Sequence, residues 1–67
     1  MNILVIGSGG REHAIVDKLN IPENQLFCLP GNPGIWQIAQ PIDVQLNDFE
    51  GIKSFCQSKS IDLVVIG

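Results

Sequence analysis

Little in this chain is basic, thiol-bearing or long and apolar, and each shortage closes off a class of function. Its 67 residues include four lysines and arginines in all. These are Arg11, Lys18, Lys53 and Lys59, spaced too widely to form a patch for a nucleic-acid backbone. Seven acidic residues leave a net charge of −3, and 45% of the chain is apolar, a balance that excludes a disordered tail. The two cysteines, Cys28 and Cys56, stand far apart with no Cys or His partner at metal-ligand spacing, so they read as small buried hydrophobes rather than zinc ligands or a disulfide. No basic stretch precedes the first apolar segment and no apolar run reaches membrane-spanning length, so neither a signal peptide nor a membrane anchor is expected. A reducing, cytoplasmic setting follows. Repeats, low-complexity tracts and linkers are absent. So are a nucleophile–base pair, a metal-ligating cluster and a P-loop lysine. The segment is expected to bind rather than catalyse, with no catalytic and no metal-ligating residue of its own.

What is there is a regular alternation of strand and helix. Residues 2–6 read as a strand buried on both faces, through the run Ile3-Leu4-Val5-Ile6. A helix is predicted over about 11–19, with Ala14, Ile15 and Leu19 inward and Glu12, Asp17 and Lys18 mostly outward. Asn20 and Pro22 stop it, because proline cannot continue a helix. Residues 25–29 form a second buried strand, and strand–helix–strand spacing makes the pair parallel, with the helix on one face. Pro30-Gly31-Asn32-Pro33-Gly34 is a loop. Residues 35–39 read as one helical turn around Trp36, and 41–44 as a short edge strand beginning at proline. Asn47 and Glu50 suggest a capped helix start. Phe49, Ile52, Phe55 and Cys56 then share a stripe of a helix reaching about residue 58. Residues 61–66 read as another buried strand, with Gly67 opening the next loop. The fold class is α/β: a Rossmann-like open parallel sheet, incomplete at the C-terminus. With one side of that sheet under-covered, residues 1–67 are expected to be the N-terminal part of a larger protein.

The stretch from Gly7 to His13 holds the functional signal. Glycines between a buried strand and a helix start let the backbone turn and let a ligand approach closely. The unpaired first-turn N–H groups and the helix dipole then favour a phosphate. Backbone N–H groups of Ser8, Gly9 and Gly10 are the candidate donors, with the Arg11 guanidinium adding a charged pair. Gly7 and Gly9 fill the first two places of a dinucleotide G-x-G-x-x-G fingerprint, but Glu12 stands in the third, where a glycine normally lets helix and strand pack closely. That counts against NAD or FAD, as does Leu29-Pro30 where an acidic residue would hold the ribose. The Gly31-Asn32 loop lies at the carboxyl end of the neighbouring strand and should face the same ligand. Asn32 offers a donor and an acceptor there, or serves as a left-handed turn residue. Glu12 and His13 are candidates for contact with substrate or a neighbouring domain. Glu12 is explained equally by the helix dipole, and His13 by a surface histidine bonded to the backbone. On these residues alone, a non-catalytic nucleotide- or phosphate-binding Rossmann-like module is a full alternative to an enzyme segment.

Gly7-Ser8-Gly9-Gly10-Arg11-Glu12-His13-Ala14 resembles the opening motif of the phosphoribosylamine–glycine ligases (glycinamide ribonucleotide synthetases) of purine biosynthesis. Pro30-Gly31-Asn32-Pro33-Gly34 is similar to that family's second loop, and Ile61-Asp62-Leu63-Val64-Val65-Ile66-Gly67 to the strand entering its third. The three stand in the family's order and span the chain. The resemblance implies a substrate-binding domain of the pre-ATP-grasp type over residues 1–67, with the ATP-grasp and C-terminal domains beyond. It implies a ligase that joins glycine to 5-phosphoribosylamine through a glycyl phosphate, giving glycinamide ribonucleotide, ADP and phosphate. ATP and Mg²⁺ (or Mn²⁺) would be bound beyond residue 67, and the partners would be small molecules, with no nucleic acid and no membrane. A monomer is expected. Carried over residue by residue, Ser8, Gly9, Gly10, Arg11, Gly31 and Asn32 would bind phosphoribosylamine. Ser8 stands where the family commonly has Asn, and Pro33 where a small residue is more usual, which stiffens the second loop.

Overall fold

The computed structural model describes every residue from Met1 to Gly67. Strand β1 covers Asn2–Gly7, helix α1 Gly10–Leu19, strand β2 Gln25–Pro30, the short helix α2 Pro33–Trp36, strand β3 Gln40–Pro41, helix α3 Phe49–Ser58 and strand β4 Leu63–Ile66. The strands form one sheet in the order β3-β2-β1-β4, every neighbouring pair parallel. This is the open parallel α/β arrangement expected from the alternation of elements.

Alternate side chains of the two central strands divide the core into two layers, as the period of two requires. On one face Ile3, Val5, Leu26 and Cys28 meet Val16 of α1, Ile35 of α2 and Ala39. On the other, Leu4, Phe27 and Leu29 meet Ile52, Phe55 and Cys56 of α3. Phe27 and Phe55 pack edge to face across that layer, with ring centroids 5.1 Å apart. Both cysteines are free thiols, Cys28 buried and Cys56 half-buried.

Several expectations change, among them the helical turn expected over 35–39, which forms as α2 at Pro33–Trp36 instead. Helix α1 is rotated from the predicted face: Val16 is fully buried, Ala14 is exposed, and Glu12 is buried rather than outward. Strand β2 runs on through Pro30, which its edge of the register tolerates because proline lacks only the donor. The third strand is only Gln40–Pro41 instead of four residues; Ile42 and Val44 turn their side chains to the α3 layer instead of extending the ladder. Helix α3 is capped by Asp48, not Asn47: the Asp48 carboxylate accepts from the Gly51 N–H at 3.0 Å. Strand β4 is also less covered than its apolar sequence suggests. It pairs only with β1, and Leu63, Val64 and Ile66 remain exposed while Val65 reaches the core.

Candidate anion site at the carboxyl ends of the strands

Parallel strands bring the loops at their carboxyl ends to one edge. At the end of β1, Gly7 has φ +144°, a conformation that side chains rarely adopt. The chain then turns through Ser8 and Gly9 into α1. Gly9 occupies the N-cap position in an extended conformation, with no side chain closing the helix start. The N–H groups of Ser8 and Gly9 find no acceptor within the chain, and those of Gly10, Arg11 and Glu12 belong to a first turn with no intrahelical carbonyl in reach. Ser8, Gly9, Gly10 and Arg11 are all exposed, and the space where a Gly10 Cβ would lie is open. A run of free donors at the positive end of a helix, beside a guanidinium, is the chemistry that holds a phosphate.

The second loop is tied to the first by two hydrogen bonds. The Gly31 N–H donates to the Gly7 carbonyl at 3.1 Å, and Asn32 Nδ2 donates to the Ser8 carbonyl at 2.8 Å. Asn32 Oδ1 in turn accepts from the Ile35 N–H at 3.0 Å, capping α2. Asn32 is extended, with φ −151°; the left-handed residue of the loop is Gly31, at φ +71°. A Cβ on Gly31 would also fall 2.8 Å from Cys28 Sγ and 2.9 Å from Trp36 Nε1, so glycine is required there twice over. Trp36 Nε1 donates to the Pro30 carbonyl at 2.9 Å, which fixes the half-exposed indole along the loop. All six residues expected to bind substrate therefore lie at one edge: Ser8, Gly9, Gly10 and Arg11 on the first loop, Gly31 and Asn32 on the second. Asn32 engages both ends of its amide within the chain, so its evident task is to brace the first loop.

Of the two remaining candidates, His13 is half-buried where α1 meets α2, its Cε1 2.6 Å from where a Gly34 Cβ would lie. Glu12 is 7% exposed. Its side chain folds back over the carboxyl ends of β1 and β4, filling the space that β-carbons on Gly7, Gly9 and Gly67 would need. The inward turn of Glu12 was missed from sequence. The signal was available, since Glu12, Val16 and Leu19 share a helix face and glycine stands at 7 and 9, but a charged residue was assigned to the outside by default.

An open parallel sheet whose first crossover begins on unspent amides, braced by a second loop, defines an α/β unit of the Rossmann-like class. Over all of residues 1–67 the chain matches the family described as phosphoribosylglycinamide synthetase, N domain. It is 45% identical, over its whole length, to the phosphoribosylamine–glycine ligase of Mesorhizobium japonicum, and 41% identical to that of Caldanaerobacter subterraneus. It spans 16% of each of those proteins. The trifunctional purine biosynthetic protein adenosine-3 of Chironomus tentans is 43% identical over 97% of this chain, which corresponds to 5% of that protein. The chain belongs to the phosphoribosylglycinamide synthetase N-domain family.

Proposed function

We propose that residues 1–67 form the substrate-binding part of an ATP-dependent ligase that joins glycine to 5-phosphoribosylamine in purine biosynthesis. The 5-phosphate rests on the N–H groups of Ser8, Gly9 and Gly10, with Arg11 as its charged partner. Gly31 and Asn32 hold the first loop in place against it. The observation that supports this most is the pair of bonds from Gly31 to Gly7 and from Asn32 to Ser8, because they set the open amides in a fixed cradle before any ligand arrives. Preorganised donors bind an anion without reorganising, which is where such a site gains affinity.

The 67 residues gather no group of three His, Cys, Asp or Glu side chains that would hold a metal ion. By the family likeness, ATP and its Mg²⁺ (or Mn²⁺) are assigned to an ATP-grasp module outside this segment, and no step of glycyl transfer is routed through the residues described. Their work is to fix the phosphoribosylamine so that its amine meets the activated glycine. No helix is long and apolar enough to cross a membrane. The proposed substrates are small and water-soluble, and a cytoplasmic, monomeric enzyme is part of the same proposal. The test is ADP release by the full-length protein. Release that requires both glycine and phosphoribosylamine supports the ligase. Phosphate binding without any glycine-dependent ADP release would leave a non-catalytic binding module instead.

A further inference from the structure

His13 touches the second loop in a way that bears on the first. Its backbone is pinned beside the first loop, since the His13 N–H donates to the Gly9 carbonyl at 3.1 Å. Its half-buried ring reaches from α1 to α2 and fills the space beside Gly34. A Cβ on Gly34 would stand 2.6 Å from His13 Cε1 and 3.1 Å from Nδ1. Gly34 lies within α2 and has no positive φ, so its backbone is one that other residues adopt. Inside a helix, glycine is also less stable than alanine by about 1 kcal/mol. What forbids a larger residue there is the ring. The same Cβ would lie 3.4 Å from Asn32 Oδ1, so the imidazole, Gly34 and the Asn32 amide meet at one place.

Helix α2 is four residues long, too short to keep its place through its own hydrogen bonds. Ile35 anchors it in the core. Asn32 anchors its start, with Oδ1 accepting from the Ile35 N–H while Nδ2 donates to the Ser8 carbonyl. One amide side chain therefore couples α2 to the first loop, and a displacement of α2 is passed on to Ser8. We propose that His13 is a positioning residue: its ring, seated on Gly34, sets the spacing of α1 and α2 and so holds Gly31 and Asn32 where they brace Gly7 and Ser8. The contacts close a circuit, from Gly9 to His13, from His13 to Gly34, and from Asn32 back to Ser8. The hydrogen bonds of Asn32 run to Ile35 and Ser8 and not to the ring, so the imidazole acts through shape. The consequence for binding rests on the phosphate reading of the first loop; the bracing itself does not.

The first readout needs no ligand. Hydrogen exchange in the full-length protein follows the Gly31 amide, bonded to Gly7, and the Ile35 amide, bonded to Asn32, with the Gly51 amide of α3 as control. Gly34→Ala crowds the ring and His13→Ala removes it. Each should speed exchange at Gly31 and Ile35 about tenfold and leave Gly51 as it was. The second readout is ADP release with phosphoribosylamine varied. Its KM should rise about tenfold in both variants with slight change in kcat. Adding Gly34→Ala to His13→Ala should do no further harm, because the methyl group then has room, and that non-additivity identifies the pair. Unchanged exchange at Gly31 and Ile35 in both single variants overturns the proposal. So does equal acceleration at Gly51, which means general loosening, and so do additive effects in the double variant. A raised KM with unchanged exchange would make His13 a ligand contact and equally overturns the bracing role. Faster exchange at both amides with KM unmoved upholds the bracing and counts against the phosphate reading, so the two fail separately.

Discussion

Helices α1 and α3 are each ten residues long, each follows a strand, and they cover opposite faces of the sheet. Their beginnings differ. Helix α3 closes its own start with the Asp48 carboxylate, whereas α1 starts on a bare glycine. A side-chain cap satisfies a first-turn donor and contributes about 1 kcal/mol; leaving it out forgoes that stability and keeps the donors available. Burial runs the other way. Helix α1 buries Glu12 and Val16, while α3 has no buried residue. The helix that is uncapped is thus the one held more deeply by the core, and packing replaces the cap in securing it. The helix proposed to bind differs from the supporting one by what its first turn leaves undone.

The contrast can be broken by capping α1. Gly9 has an extended backbone that other residues adopt readily, and a Cβ there needs the end of the Glu12 side chain, 3.1 Å away, to give by a few tenths of an ångström. Gly9→Asp would place a carboxylate over the open amides and add a negative charge at the proposed phosphate site. Affinity for phosphoribosylamine should drop by about a hundredfold or more, read as KM in the full-length protein. Next in size is Asn32→Ala, which unties the second loop from Ser8 and uncaps α2. The KM should rise about tenfold, with slight change in kcat, since the loss is of positioning. Asp48→Ala should do the opposite of Gly9→Asp. Exchange of the α3 amides should reveal a loss of about 1 kcal/mol in local stability while the KM for phosphoribosylamine stays as it was.

The smallest effect concerns the thiols. Burial pushes the Cys28 thiol above its usual range, so the folded state holds that proton more tightly than the unfolded chain, whose thiols titrate near about 8.5. The associated stability is intact below that pH and is lost as pH rises from there through the folded value, amounting to under about 1 kcal/mol by pH 9. Denaturation followed from pH 7 to 9 should show that slope, and Cys28→Ala should remove it. Half-buried Cys56 should alkylate first.

Much of this was legible in advance because strong local signals agreed with the global fold. The apolar runs at 3–6 and 26–29, the glycines at 7 and 9, and the turn at Gly31-Asn32 took their expected places, while Pro30 joined β2 and Pro33-Gly34 opened α2. What was hidden depended on contacts distant in sequence. Glu12 turns inward because glycines five residues before it and fifty-five after it leave room; its place on the Val16 face is a local pattern, the space beside Gly67 is not. Strand β4 has the composition of a central strand but lies beside β1 alone, and composition does not reveal a neighbour. The choice between Asn47 and Asp48 as the α3 cap rests on one residue of register, within the usual scatter of helix ends.

Hydrogen exchange in the full-length protein, with and without phosphoribosylamine, is the most direct test of the central claim, because it watches the amides themselves. Slowed exchange across Ser8–Glu12, together with the Gly31–Asn32 loop, and no change at the start of α3, is the predicted result. Protection elsewhere in the protein with these amides still exchanging freely would contradict it.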